Sequence, residues 1–170
     1  MNSYCTYFDK NYLSKFLVLR NSIKKFKNKN IFYVLCLDKN VEKFFHKNNF
    51  KDIIPISLNK LENKYKILLN AKKNRSLIEY YFTLSPFLPR YINEIFKIKK
   101  VSYLDSDLYF FRNPDKLIRQ DDDSSVILIK QESKRIYGTF NVGWIIFNFN
   151  YTETENIVNE WCSQCINLCS

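Results

Sequence analysis

The segment with the most chemical content is Val101-Ser-Tyr-Leu-Asp-Ser-Asp-Leu-Tyr-Phe-Phe111. It sets Asp105 and Asp107 one residue apart at the end of an apolar strand, where an ionised carboxylate loses several kcal/mol of hydration unless a cation compensates. A divalent metal is the natural partner. In an extended segment the side chains at i and i+2 share a face, so both carboxylates reach one hard cation, which can also take phosphate oxygens from a ligand. The plainer alternative is a strand-end turn in which Asp caps the backbone. The Asp-x-Asp pattern recurs at Asp121, Asp122 and Asp123, but in a polar break between a helix and a strand, where a solvated acidic turn accounts for it.

A second group, Tyr7, Asp9, Asn11 and Tyr12, follows the first strand. Aromatic faces beside carboxylate and amide groups suit a nucleobase and ribose, and in an α/β sheet this loop borders the ligand crevice. Asp9 or Asn11 acting as a helix cap explains the same residues more simply. The third group, Tyr137-Gly-Thr-Phe-Asn-Val-Gly-Trp144, contains both glycines of the chain. Gly138 and Gly143 therefore mark special backbone angles or a close approach to ligand, or else a bulge or turn entering the next strand.

Other chemistries have little material. His46 is the single histidine, which leaves out Ser-His-Asp and Cys-His catalysis and histidine-rich zinc sites. Cys162, Cys165 and Cys169 fall at i, i+3 and i+7 on one helical stripe with Val158, Trp161 and Leu168, as packing cysteines do. The five cysteines do not form a disulfide framework.

The elements that must position these groups alternate. Strands are expected at Tyr4 to Phe8, Ile31 to Leu37, Ile53 to Leu58, Val101 to Phe111 (broken at its centre by the two aspartates), Val126 to Ile129 and Trp144 to Phe149. Helices are expected at Leu13 to Phe26 with Ser14 as cap, Val41 to His46, Arg75 to Phe96 interrupted by Pro86 and Pro89, Asp115 to Arg119, and Thr152 to Cys169. Asn59 to Asn74 reads as a polar stretch. This order predicts an α/β fold with a mostly parallel central sheet sandwiched by helices, and a ligand site beyond the carboxyl ends of the strands. The 170 residues, 46% hydrophobic and 17% aromatic, suffice for a single domain spanning 1–170 with a real core.

The formal charge is +10. Its lysines are spread along the chain, and the clusters at Lys24, Lys25, Lys27, Lys29 and at Lys97, Lys99, Lys100 read as solvated faces, so no nucleic-acid partner is expected. No signal peptide and no run near the roughly 18 apolar residues of a membrane span is visible. The expectation is a cytoplasmic protein, extending to peripheral contact with the inner face of a membrane.

Taken in order, Tyr-Cys-Thr-Tyr-Phe-Asp (4 to 9) with Asn11-Tyr12, Phe-Tyr-Val-Leu-Cys-Leu-Asp (32 to 38), Tyr-Leu-Asp-Ser-Asp-Leu (103 to 108) and Phe-Asn-Val-Gly (140 to 143) resemble GT-A-fold glycosyltransferases, above all the nucleotide-sugar transferases of family 8 and their bacterial relatives. The resemblance implies a metal-dependent transferase that moves a sugar from a nucleotide diphosphate donor, a UDP-sugar first, to a glycan or cell-envelope acceptor. It gives nucleotide binding to Tyr7, Asp9, Asn11, Tyr12 and Ser106, Mn2+ or Mg2+ binding to Asp105 and Asp107, and the donor-sugar and acceptor side to Asn141 and Gly143. It assigns no catalytic group. Arg75 and Arg90 are the candidates for phosphate contacts. Family 8 takes a third metal ligand, a histidine, from a motif farther downstream, so the chain is expected to be the front portion of a longer transferase or a shortened relative. A catalytically weak or inactive nucleotide-sugar-binding module of the same fold is the alternative.

Overall fold

The structure, a computed structural model, describes residues 1–120, 123–131 and 138–168; Asp121, Asp122, Tyr137 and Cys169 lie outside the described residues. The chain runs β1 (Asn2–Phe8), α1 (Leu13–Lys24), β2 (Asn30–Cys36), α2 (Lys39–Asn48), β3 (Ile53–Ser57), α3 (Leu58–Lys64), α4 (Ile67–Lys73), α5 (Leu77–Thr83), α6 (Phe87–Phe96), β4 (Lys100–Leu104), α7 (Asp115–Gln120), β5 (Val126–Lys130), β6 (Phe140–Asn148) and α8 (Thr152–Leu168).

The strands form one sheet in the order β3-β2-β1-β4-β6-β5. β3, β2, β1 and β4 pair in parallel, while β6 runs antiparallel to both β4 and β5. The parallel part is covered on both faces, which is why β2 reads as an almost unbroken apolar run. Its residues alternate between two cores. Phe32 and Val34 join Tyr4, Phe16, Leu19 and Phe45 under α1 and α2; Tyr33 and Leu35 join Cys5, Leu61, Leu68, Leu84 and Val158 under α3–α6 and α8. A two-residue period along each strand thus builds both layers.

Three expectations change and one, on the prolines, holds. The polar stretch after β3 holds two helices, because Leu61, Leu68 and Ala71 turn inward among the lysines and asparagines. Ser14 does not cap α1, which is entered from a 3-10 turn, Lys10–Tyr12, capped by Asp9. The helical region from Arg75 to Phe96 does break at the prolines, into α5 and α6, with Pro86 as the N-cap of α6 and Pro89 in its first turn, which needs none of the N–H groups they lack. The strand expected to run to Phe111 ends at Leu104. No helix among the described residues is long and apolar enough to cross a membrane.

Candidate active site

Two strand ends and one helix meet over a cavity of about 430 Å³. β1 delivers Tyr7, and the 3-10 turn after it delivers Asp9 and Tyr12 to the cavity wall. Asp9 is fixed by accepting bonds from the Asn11 backbone N–H (2.9 Å) and the Asn11 side-chain amide (3.1 Å). Cap and cavity readings therefore hold together for Asp9, whereas Asn11 stands behind it as a brace and does not line the cavity. Tyr12 is exposed, with the Lys15 ammonium 3.9 Å from its ring centroid.

β4 brings Asp105, Ser106 and Asp107 to the same cavity. They sit in a turn closed by the Leu108 N–H donating to the Asp105 carbonyl (3.3 Å), so the pair is not on an extended segment; the turn aims both carboxylates at the cavity nonetheless. The Asp105 N–H donates to the Gly143 carbonyl (2.8 Å), and the Tyr103 hydroxyl donates to Asp105 Oδ1 (2.9 Å). Tyr103 leans on Tyr7, ring centroids 5.9 Å apart, and the Tyr7 hydroxyl bonds Ser85 at 2.8 Å. Burial raises the Asp105 carboxyl above the usual aspartate range; the Tyr103 hydrogen bond opposes this, and the Asp107 charge adds to it. Burial also pushes the Tyr7 and Tyr103 hydroxyls up, so both remain protonated donors near neutral pH. Asp107 is half-exposed, and its cationic neighbour is Lys15 at 3.7 Å.

The opposite wall is α5, with Leu77, Ile78, Tyr81 and Phe82. Sequence reading missed it. The signal was present: α5 buries Tyr80 and Thr83 yet is apolar on its other side too, and a helix apolar all round needs a second partner. The cavity thus has an apolar wall facing three carboxylates, and no lysine or arginine among the described residues lines it. Lys15 offsets one of these charges at Asp107, so a diphosphate would still meet net negative charge there unless a further cation came with it. The donor set fits a hard divalent cation: two carboxylates on one turn, with Asp105 desolvated and without a cationic partner among the described residues. No cluster of three metal-ligating side chains exists among the described residues.

The third group divides. Gly143 lies against Asp105: a Cβ there would come 2.9 Å from Asn141 Oδ1 and 3.1 Å from Asp105 Oδ2. Asn141 accepts from the Gly143 N–H (2.7 Å) and lines a separate cavity of about 330 Å³ beside Tyr109, Phe110 and Trp144. Gly138 has φ +83°. Neither arginine candidate reaches the main cavity. Arg75 bonds Thr83 and the Ile166 carbonyl (2.6 Å), tying α5 to α8, and Arg90 pairs with Glu94 (2.8 Å) over the Tyr65 ring. His46 is exposed on α2, and Cys162 is buried on the inner face of α8.

The chain superposes on two solved transferases. Galactosyltransferase LgtC, crystallised with donor and acceptor sugar analogues, matches over 99% of this chain and 66% of its own, with a TM-score of 0.63 and 18% identity. The glycosyltransferase GlyE of Streptococcus pneumoniae TIGR4 matches over 94% of this chain and 37% of its own, with a TM-score of 0.58 and 19% identity. The fold is that of the GT-A glycosyltransferases. No family model matches the sequence. Two Bacillus subtilis (strain 168) proteins are similar to it: YfnF, 26% identical over 99% of this chain, and YfnD, 27% identical over 81%. The chain spans 59% and 46% of their lengths, so the GT-A unit described here corresponds to a part of each.

Proposed function

We propose that the chain binds a nucleotide diphosphate sugar in the main cavity and transfers its sugar to a glycan or cell-envelope acceptor. The observation that carries this reading is the cavity wall itself, which Asp9, Asp105 and Asp107 line with no lysine or arginine among the described residues. Asp105 and Asp107 would hold Mn2+ or Mg2+. Bound there, the metal supplies Lewis-acid neutralisation of the charge that develops on the departing nucleoside diphosphate. Tyr12 offers an exposed ring for the base, and Asp9, already oriented by Asn11, offers its carboxylate to ribose hydroxyls. Ser106, buried on the turn between the two carboxylates and lining the cavity, would meet the nucleotide there. Tyr103 holds the Asp105 carboxylate in one orientation, and the Asp105–Gly143 backbone bond fixes the turn that carries it. The apolar residues of α5 exclude water from that side of the bound donor.

Isothermal titration of UDP with and without Mn2+ tests the reading. Binding should require the metal and disappear in both Asp105→Ala and Asp107→Ala; metal-independent binding, or variants that bind like the wild type, would refute it. The lack of a third metal ligand among the described residues favours, as a second reading, a module that binds donor without turnover. Slow hydrolysis of a UDP-sugar to UDP separates the two, because a competent transferase leaks sugar to water and a binding module does not.

A further inference from the structure

A patch whose residues do not line the main cavity carries a separate inference. The chain from Lys10 to Leu37 contains seven lysines and arginines and no acidic residue. Beyond the end of α1, Lys25, Lys27 and Lys29 are exposed on one flank, and residues 108–113 run alongside that helix to meet them. The contact is specific. The Phe110 N–H donates to Ser22 Oγ (3.0 Å), Asn28 bonds Asn113 (3.2 Å), and the Lys25 ammonium sits 4.7 Å from the Tyr109 ring centroid and 5.1 Å from that of Phe26. Tyr109 in turn packs on Phe111, centroids 4.7 Å apart, and Phe111 stands 82% exposed with Arg112 next to it. Lys25, Lys27, Lys29 and Arg112 have no carboxylate partner among the described residues.

Two exposed aromatic rings beside four cations that have no carboxylate partner among the described residues form the arrangement that suits the headgroup layer of a bilayer, with rings at the acyl boundary and cations among anionic headgroups. We propose that this surface docks the protein on a membrane containing anionic phospholipid, with Phe111 and Tyr109 as the inserting residues. Charge complementarity selects the partner. A single-stranded nucleic acid would instead require a groove whose rings lie open for stacking, whereas here Lys25 covers Tyr109 and Phe111 projects from a loop. The lysines are solvated as the sequence led one to expect, and the exposed rings of Tyr109 and Phe111 lie beside them. The proposal is independent of the transferase reading.

Co-sedimentation of the purified chain with phosphatidylcholine vesicles, with and without phosphatidylglycerol, tests it. Binding should need the anionic lipid and weaken steeply with salt. Phe111→Ser with Tyr109→Ser should lower the partition coefficient about tenfold, as should Lys25→Gln, Lys27→Gln and Lys29→Gln together. The charge-matched control Lys39→Gln, Lys43→Gln and Lys47→Gln, on α2, should lower it much less. In Phe111→Trp the emission should shift to the blue on vesicle binding relative to the wild type. The proposal is overturned by equal loss in the patch and control triples, by no effect of the aromatic pair, by no blue shift of bound Phe111→Trp, or by tighter retention on single-stranded RNA than on anionic vesicles at the same salt. The aromatic residues replaced are exposed, and far-UV circular dichroism verifies that the variants fold.

Discussion

Asp105 is held where folding alone gains nothing from its charge. Burial raises its carboxyl pKa above that of an unfolded aspartate, so between those two values the native state binds more protons than the unfolded chain. Its contribution to stability is therefore greatest at low pH and is lost as pH rises through the raised value. Asp105→Asn should accordingly leave the Tm at pH 7 unchanged or raise it by about 2 °C, while abolishing metal-dependent UDP binding. A Tm fall of several degrees in thermal melts would contradict this. Tyr103→Phe removes the hydrogen bond that opposes burial, so the Asp105 carboxyl should protonate at still higher pH. The acid limb of Mn2+-dependent UDP binding, followed by titration across pH, should move upward in that variant.

Among the elements, the two glycines make contrasting predictions. Gly143→Ala forces Asn141 or Asp105 to shift and should cost about 1–2 kcal/mol in urea unfolding, with UDP binding weakened about tenfold. Gly138→Ala meets open space but a strained positive φ, and should cost about 1 kcal/mol with binding intact. α1 is clamped to the turn before β3 by Arg20, whose guanidinium donates twice to Asp52 (2.9 and 2.6 Å). Although burial opposes it, this pairing holds the Asp52 carboxyl below the usual range. The stabilisation is present above the ordinary aspartate pKa and is lost as pH falls through the depressed value. Arg20→Met should therefore cost about 1–2 kcal/mol at pH 7 and less below pH 3, read from urea midpoints at the two pH values. What was legible at this scale follows the same physics. Strands buried on both faces, such as β2, advertise themselves by composition, and Asp105 and Asp107 stood out because carboxylates ending such a strand need a reason. α3 and α4 were hidden because a single inward stripe is diluted by lysine and asparagine. The α5 wall was hidden because a residue lining a cavity and a residue packing a core have the same chemical type.

Over the whole molecule, Cys5, Cys36 and Cys162 are buried, and burial raises each thiol, those of Cys36 and Cys162 to about 12. A native-state titration with a thiol reagent should leave these three unreacted until denaturant is added. Sequence alone led to the arrangement of layers, since alternating strands and helices admit few topologies. It could not give the distances between groups far apart in the chain, such as Tyr7 and Ser85, 78 positions apart, because these depend on how the layers close on one another.

β6 enters the sheet against the direction of β4, so the start of one strand abuts the end of the other, and a single amide-to-carbonyl link from Asp105 to Gly143 joins them. The intervening segment is thereby relieved of any duty to hold the carboxylate turn in place. Residues inserted between β5 and β6 should therefore leave the geometry around Asp105 undisturbed, and the chain there is free to diverge in length.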